Sequence, residues 1–372
     1  MYFCNNQHPK IRYYPEKMKP ELRIYNILRP FGWLYDAFTS LRNRMFDQGL
    51  SRSISFGIPV ISIGNITVGG TGKTPHTEFT ASLLKDKYRI AVLSRGYGRH
   101  TKGFILSDNQ SDSLMIGDEP LQMKKHFPDL DVAVCEDRAK GISRLMEICS
   151  PRAIILDDAF QHRKVTPSLN ILLVNWHRNI LDDAILPAGR LRENARGRRR
   201  AHIIIVTKCP DNLSTEEMDT MAQRLKTHPG QQVYFTALSY GLPYPIDHPE
   251  QPASLRQAPV LAVTGIASPR LMVAELESQG HQVTLMKYPD HHRFSKKDIE
   301  HVKEKLESIG SDSVIVTTAK DAARLTGLEL ESRLRDRIYV LPVGVRFLRD
   351  ANMFEKVVTE HVESFKIKEK QS

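Results

Sequence analysis

The sequence ISIGNITVGGTGKTP, residues 61–75, runs from an apolar segment through a glycine-rich loop into a helical pattern. Glycines let a backbone turn until several N–H groups point at one phosphate, and the N-terminus of the following helix adds a positive dipole. The predicted phosphate cradle comprises Gly69, Gly70, Thr71, Gly72, Lys73 and Thr74. Lys73 is placed to reach the β- and γ-phosphates of ATP, and the Thr74 hydroxyl is placed to bind Mg²⁺. The stretch therefore predicts a P-loop.

The loop departs from the pattern G-x-x-x-x-G-K-[ST] at its first glycine, where Thr67 stands. Gly64, Gly69 and Gly70 supply the backbone freedom instead. The strand–turn–helix context still favours a phosphate cradle over the alternative, a glycine turn with an incidental lysine.

An acidic pair ends a second apolar run, AIILDD at residues 153–158. In an open parallel sheet the carboxyl ends of the strands meet at one edge, so Asp157 and Asp158 are expected near Thr74, where P-loop proteins hold their metal ion. Adjacent residues on a strand point to opposite faces, which predicts different roles for the two acids.

Apolar runs alternate with helical patterns along most of the chain, which is typical of a parallel sheet covered on both faces. Strands are predicted at 59–63, 90–93, 132–135, 153–156, 171–174 and 203–206. A second set, at 260–264, 282–287, 314–317 and 338–342, alternates with helices near 269–279, 295–308 and 351–366. The predicted fold class is α/β: a P-loop NTPase-like three-layer α/β/α sandwich, a second, smaller α/β domain and an N-terminal amphipathic helix.

Five prolines between residues 240 and 259 predict a domain boundary or hinge. The predicted division is 1–20 for a disordered extension, with Met18 as an alternative start, and 21–48 for an amphipathic membrane-associating helix. Residues 49–235 are assigned to the P-loop domain, and 236–372 to the smaller α/β domain with hinge strands.

Apolar residues recur every three or four positions between residues 22 and 46, and the predicted helix is broken or restarts at Pro30. Tyr25, Trp33 and Tyr35 are aromatic residues of the kind that settle at bilayer interfaces. Periodicity alone leaves two interpretations open: a helix lying on a membrane, or a terminal helix packed on the protein's own core.

The 372-residue chain has 53 Lys and Arg against 43 Asp and Glu, a net charge of +10. This excess favours an acidic partner, such as nucleic acid, a phosphorylated substrate or anionic lipid, unless the proteome is basic in general. The four scattered cysteines argue against a zinc or disulfide framework. No apolar run approaches the ~20 residues of a membrane span, so a cytoplasmic protein is expected.

Short polar loops offer groups suited to phosphoryl transfer. SRGYGR at 94–99 contains the cation Arg95, and GDEP at 117–120 contains Asp118 and Glu119, either of which could accept a hydroxyl proton. Six arginines fall within residues 190–200, where a solvated loop or nucleic-acid binding are alternatives, although interleaved aromatics are missing. YPDHHRF at 288–294 suits an acid–base helper better than zinc, because no third ligand lies nearby.

Together these motifs resemble the tetraacyldisaccharide 4′-kinases, the lipid A 4′-kinase family of Gram-negative envelope synthesis. The resemblance covers about residues 22–345 and rests, in order, on GNITVGGTGKTP, SRGYGR, GDEP, DDAFQHRKV at 157–165, LPAGRLRE at 186–193, VTGIASP at 263–269, PDHHRF and TAKDAARL at 318–325. It implies ATP and Mg²⁺, two α/β/α domains with a β hinge, and a kinase acting on the 4′-hydroxyl of a lipid-linked glucosamine disaccharide 1-phosphate. It also implies a peripheral position on the cytoplasmic face of the inner membrane. Neither nucleic acid nor an obligate protein partner is expected.

Roles for individual residues follow from the loops and the resemblance together. The predicted catalytic residues are Lys73, Asp118 and His291, with His292 as the alternative to the last. The predicted metal ligands are Thr74, Glu119, Asp157 and Asp158. The predicted substrate-binding residues are Arg95, Arg138 and Arg190. Thr318-Ala-Lys-Asp321 departs from the family's usual T-E-K-D, so no role is carried over for that glutamate.

A P-loop switch or partitioning protein, which hydrolyses nucleotide to change partners, is the main alternative. Such loops often have a lysine just before the two glycines, where this chain has Val68. A basic nucleic-acid-binding ATPase is a third possibility and predicts salt-dependent binding of oligonucleotides.

Overall fold

A computed structural model describes residues 24–266, 269–290, 292–325 and 328–365. The predicted extension at 1–20 and the candidate catalytic residue His291 lie outside the described residues.

The described strands and helices alternate along the chain. The strands are β1 (Val60–Gly64), β2 (Ile90–Ser94), β3 (Ile105–Leu106), β4 (Asp131–Val134), β5 (Ala153–Asp157), β6 (Leu169–Asn175), β7 (Ile203–Thr207), β8 (Gln232–Tyr240), β9 (Tyr244–Pro245), β10 (Val260–Thr264), β11 (Val283–Lys287), β12 (Val314–Thr318), β13 (Ile338–Leu341) and β14 (Val343–Phe347). The helices are α1 (Arg29–Asp47), α2 (Lys73–Lys85), α3 (Ser113–Ile116), α4 (Asp118–His126), α5 (Arg138–Cys149), α6 (Thr215–Leu225), α7 (Arg270–Ser278), α8 (Lys296–Ile309), α9 (Ala319–Leu325), α10 (Ser332–Arg335) and α11 (Ala351–Glu363).

The larger sheet has nine strands in the order β14-β8-β7-β6-β1-β5-β2-β4-β3. The strands from β8 to β4 are parallel, and antiparallel β14 and β3 close the two edges. Every residue of β1 and β5 is buried, as expected where helices cover both faces. The six strands predicted for this half are confirmed within two residues at each end.

Helices cover both faces of the larger sheet. On one face, Leu84 of α2 and Val358 of α11 share an apolar cluster with strand residues such as Ile61. On the other face, α5 and α6 cover separate clusters, represented by Ile142 and Met218. The predicted three-layer α/β/α sandwich is therefore confirmed.

The smaller sheet has the order β11-β10-β12-β13-β9, with four parallel strands and antiparallel β9 at one edge. Val302 of α8 packs on one face with Leu261, and Met272 of α7 packs on the other face with Ala262. The predicted second, smaller α/β unit is confirmed, and its four parallel strands match the predicted ones within one residue.

A two-stranded ribbon joins the sheets. The chain leaves β8 for β9 and returns from β13 to β14, and the Gly241 N–H donates to the Pro342 carbonyl at 3.1 Å between these passages. β14 pairs with β8, and Phe354 of α11 lies in the core of the larger sheet. This differs from the sequence-based division, which gave everything after residue 235 to the smaller domain. The return depends on pairing between distant segments, which leaves no local pattern in the sequence.

Helix α1 lies against the protein through its small and polar residues. Pro30 stands in its first turn, which confirms the predicted restart, and Gly32 and Thr39 are its buried residues. Asn43 Nδ2 donates to Glu193 Oε2 at 2.9 Å, and Asn194 Nδ2 donates to Asp36 Oδ2 at 3.0 Å. The helix is thus fixed beside the segment 185–194 by polar contacts.

The apolar side of α1 faces outward. Its exposed residues recur at three- and four-residue spacing and include Phe31, Leu34, Phe38, Leu41 and Met45. Leu34 is 73% exposed and the neighbouring Trp33 70%. Packing on the protein's own core, one of the two sequence interpretations, is therefore wrong for this face. Within the described ranges, no helix combines the length and apolar character needed to cross a bilayer.

Candidate active site

The glycine-rich loop turns from the end of β1 into α2, as the sequence predicts. Gly72 has φ of +82°, a left-handed conformation that favours glycine, and α2 begins at Lys73. Two contacts fix Thr71: Asn65 Nδ2 lies 2.7 Å from its hydroxyl, and the Thr207 hydroxyl donates to its carbonyl at 2.9 Å. The loop is held from both sides at the carboxyl edge of the sheet.

The buried side chain of His76 supports this loop through a hydrogen bond. His76 Nδ1 lies 2.7 Å from the Gly72 carbonyl and therefore donates to it, while Nε2 lies 3.0 Å from the Thr236 hydroxyl. Burial lowers the pKa of His76 to about 4, so the ring is neutral at physiological pH. The sequence analysis assigned this residue no role, although it follows Lys73 by one helical turn.

Asp157 ends β5 and Asp158 follows it, and their side chains point in different directions, as alternation on a strand predicts. Asp157 is fully buried, and the Thr77 and Ser94 hydroxyls donate to its two oxygens at 3.1 and 3.3 Å. Asp158 has φ of +48° and is partly exposed, and Lys73 Nζ lies 3.6 Å from its Oδ2. The pair and the P-loop lysine thus meet at one edge.

Burial, followed by the nearby charges of Glu119 and Asp158, raises the pKa of Asp157, while Lys73 opposes the shift. A divalent cation would relieve this accumulation of negative charge. Within the described residues, no three His, Cys, Asp or Glu side chains form a preformed metal cluster. Mg²⁺ commonly takes one or two carboxylates and completes its shell with phosphates and water, so the oxygen donors here fit it.

The three predicted substrate arginines occupy different environments. Arg190 Nη1 lies 3.7 Å from where a Cβ on Gly69 would stand, so this exposed arginine flanks the P-loop. Arg95 directly follows β2 and is exposed, and its positive charge repels that of Arg138. Arg138 itself is buried, and its guanidinium donates to the Cys135 and Asp157 carbonyls at 2.7 and 3.4 Å. This placement supports the loop after β5 and differs from the expected phosphate-facing position.

Three of the six arginines in the segment 190–200 make side-chain contacts within the protein. Arg192 Nη1 lies 3.4 Å from Asp158 Oδ1, and Arg200 donates to both oxygens of Glu193 at 2.8 and 2.9 Å. Arg198 donates to the Leu225 carbonyl. The density of arginines therefore reflects structural anchoring as well as charge near the site.

Lys208 lies on the other side of the P-loop. It has φ of +58°, burial lowers its pKa, and its Nζ lies 3.7 Å from where a Cβ on Gly70 would stand. Lys208 directly follows β7, and no role was predicted for it from the sequence. A strand-end lysine beside the P-loop is the signal that could have identified it.

The smaller domain reaches the acids that open α4. Arg324 Nη2 lies 2.7 Å from Asp118 Oδ2, and Lys320 Nζ lies 3.1 Å from Glu119 Oε1. Arg293 Nη2 donates to the Gly98 carbonyl at 3.0 Å, which joins this arginine of the smaller domain to the SRGYGR loop. These contacts of Arg324 and Lys320 could not be predicted from the sequence, because about 200 residues separate each cation from its carboxylate.

His292, the alternative catalytic histidine, makes its side-chain contacts with residues of the smaller domain. Its Nε2 lies 3.1 Å from Asp298 Oδ2, and its ring stacks on Tyr288 at 4.6 Å. Asp298 also accepts hydrogen bonds from Ser295 in the capping box of α8. These contacts give His292 a packing role.

Comparisons with known proteins agree on one family. The model of the family described as tetraacyldisaccharide-1-P 4′-kinase matches residues 24–363. A tetraacyldisaccharide 4′-kinase from Bacteroides fragilis is 47% identical over 340 residues, covering 88% of this chain and 90% of the relative. The one from Flavobacterium johnsoniae is 40% identical over 341 residues, covering 91% and 97%.

A solved structure is also similar. The LpxK chain from Aquifex aeolicus, described as an "apo" form in complex with ATP, superposes with a TM-score of 0.72 at 30% identity. The match covers 91% of this chain and 99% of the other. With its P-loop, its acidic pair and this match over nearly the whole chain, the protein belongs to the tetraacyldisaccharide-1-P 4′-kinase family.

Proposed function

We propose that the protein transfers the γ-phosphate of ATP to the 4′-hydroxyl of a tetraacyl glucosamine disaccharide 1-phosphate, a precursor of lipid A. One observation carries this conclusion, the family match over residues 24–363. The meeting of the P-loop and the acidic pair at one sheet edge agrees with it. Only a kinase of this class accounts for both, and a P-loop switch or partitioning protein is not favoured.

In the mechanism that we propose, Asp118 accepts the proton of the 4′-hydroxyl while that oxygen attacks the γ-phosphorus and the bond to the leaving ADP breaks. Lys73 and Arg190, which lie at the P-loop, offset the charge on the phosphoryl oxygens. Thr74, Asp157, Asp158 and Glu119 are the side chains that would hold Mg²⁺, which would supply further positive charge.

His291 is the residue that we propose to assist Asp118 from the smaller domain. Its neighbours support this assignment, because Arg293 contacts both Gly98 and His100 of the larger domain. His292 is engaged by Asp298 instead. The contact of Arg293 with the larger domain would also help to exclude water from the reacting phosphate.

The outward apolar side of α1 supports a membrane position for the enzyme. Aromatic and aliphatic residues on an otherwise polar helix are typical of segments that lie in a bilayer interface. Because α1 contacts Glu193 and Asn194, which follow Arg190 closely, the same surface would bring the site next to a lipid-anchored acceptor. We propose the cytoplasmic face of the inner membrane, where ATP is present, as its location.

The test is mass spectrometry of the disaccharide 1-phosphate lipid after incubation with protein, ATP and Mg²⁺. The proposal predicts the gain of one phosphate, located by fragmentation on the distal glucosamine. A matched Lys73→Ala variant should give almost no product, because the P-loop lysine no longer binds the terminal phosphates. An unmodified lipid, or a phosphate at another position, would contradict the proposal.

A further inference from the structure

Helix α9 of the smaller domain packs directly on the larger domain. Ala323 shares an apolar cluster with Ile116 and Leu121 from the segment around α4 and with Val134 of β4. This contact places α9 over the turn in which α4 begins, and Asp118 is the first residue of α4. The charged residues of α9 are thereby directed at the start of α4.

Arg324 of α9 contacts Asp118 with two nitrogens. Its Nε and Nη2 lie 2.8 and 2.7 Å from the same oxygen, Asp118 Oδ2. The Arg324 side chain is only 4% exposed, so the ion pair is shielded from solvent and from screening by salt. A planar guanidinium held in this way fixes direction as well as charge.

A second carboxylate fixes Arg324 in turn. Arg324 Nη1 lies 3.0 Å from Asp321 Oδ1, and Asp321 is fully buried. The other oxygen of Asp321 accepts hydrogen bonds from the Thr264 and Thr318 hydroxyls at 2.7 and 2.8 Å. Each buried polar group in this chain of contacts is satisfied, as a rigid support requires.

We propose that Arg324 is a positioning residue for phosphoryl transfer, which fixes the orientation of the Asp118 carboxylate through two contacts with Oδ2. This inference rests on the proposed function, in which Asp118 accepts the proton. The support runs from the ends of β10 and β12 through Asp321 to Arg324 and across the domain boundary to Asp118.

Lys320 lies one turn earlier on α9, and its Nζ lies 3.1 Å from Glu119 Oε1. One helix of the smaller domain therefore sets the carboxylates of both Asp118 and Glu119. Because α9 packs on α4, the docking of the two domains is coupled to the geometry of the site. A misplacement of a catalytic group by about 1 Å can lower turnover about 10²-fold.

The test is a double-mutant cycle between Arg324→Ala and Asp118→Asn, with turnover and KM for ATP and lipid measured for all four proteins. We expect Arg324→Ala alone to lower kcat about 10²-fold while both KM values change little. In the Asp118→Asn background, Arg324→Ala should have almost no further effect, because a residue acting only through Asp118 has nothing left to position.

Two further variants sharpen the comparison. Arg324→Lys keeps the positive charge but not the planar fork, so turnover should fall between wild type and Arg324→Ala. Arg335→Ala removes another arginine of the smaller domain, which is ion-paired with Asp247 rather than with Asp118 or Glu119, and should leave kcat unchanged. Thermal unfolding and ATP binding show whether each variant is folded.

An equal loss from Arg324→Ala in both backgrounds would overturn the inference and show that the arginine only fastens the domains together. A rise in kcat would also overturn it, because the contact would then be inhibitory. Near-normal turnover of Asp118→Asn alone would instead remove the base assignment in the proposed function.

Discussion

At the scale of one residue, Asp157 shows how burial alters a carboxylate of the proposed metal site. Its carboxylate is fully buried between the Thr77 and Ser94 hydroxyls, and burial together with Glu119 and Asp158 raises its pKa. Because the folded-state pKa lies above the unfolded one, ionised Asp157 destabilises the metal-free fold. That penalty grows as pH rises from the unfolded pKa to the folded pKa and is complete above it.

Asp157→Asn should therefore stabilise the metal-free protein while abolishing turnover. We expect a higher Tm than wild type at pH 8 without Mg²⁺, and a difference that shrinks towards pH 5, where wild-type Asp157 is largely protonated. Calorimetric Tm values at the two pH values, with kinase activity on the same samples, check this. A variant less stable than wild type at pH 8 would show that the hydroxyl contacts outweigh the buried charge.

At the scale of elements, α1 illustrates a limit of periodicity. The three- and four-residue spacing predicted an amphipathic helix over residues 22–46 that is broken or restarts at Pro30, and α1, Arg29–Asp47, confirms the part after the restart. It did not determine which side faces the protein, since an apolar face packs equally well on a core or a bilayer. The contacts of Asp36 and Asn43 with the segment 193–194 resolve this, and they join parts of the chain too distant for local patterns to reveal.

Replacing Phe31, Leu34 and Phe38 by serine should abolish binding to anionic phospholipid vesicles. These side chains are 63–73% exposed, so their loss should change Tm little, whereas each contributes apolar area to a bilayer contact. Vesicle sedimentation measures the binding. The matched control is Ile148→Ser with Met353→Ser, because these exposed apolar residues lie on other helices and should leave binding intact.

Retained sedimentation of the triple variant would contradict a membrane role for α1. Turnover on a micellar, dispersed acceptor serves as a second readout. It should remain near wild type, because none of the three side chains lies in the proposed site.

At the scale of the whole molecule, the last described elements, β14 and α11, return to the sheet that carries the P-loop. β14 pairs with β8, and Phe347, Phe354, Val358 and Val362 complete the core of the larger sheet. A chain ending at residue 342 should consequently lose the fold of the P-loop domain, because several fully buried side chains are missing at a cost of ~2–5 kcal/mol each. Circular dichroism melting and ATP binding of the shortened chain check this expectation. Cooperative melting with intact ATP binding would instead support the sequence-based division at 235.

The sequence predicted ten of the fourteen described strands, the P-loop and the acidic pair, because apolar runs, glycines and strand-end acids are local signals. It could not predict the return of β14 or the contact of Arg324 with Asp118, since these depend on how the two sheets are arranged. The burial of Arg138 escaped prediction for the same reason, because a motif identifies a residue without showing which way its side chain points.

In the function that we propose, the site formed by the P-loop and the acidic pair transfers phosphate to a lipid acceptor rather than to water. The most direct measurement counts ADP released and lipid phosphorylated in the same reaction. The account predicts one ADP for each phosphorylated disaccharide and almost no ADP when the acceptor is omitted. Steady ADP release without acceptor, at a rate that the lipid does not change, would contradict it.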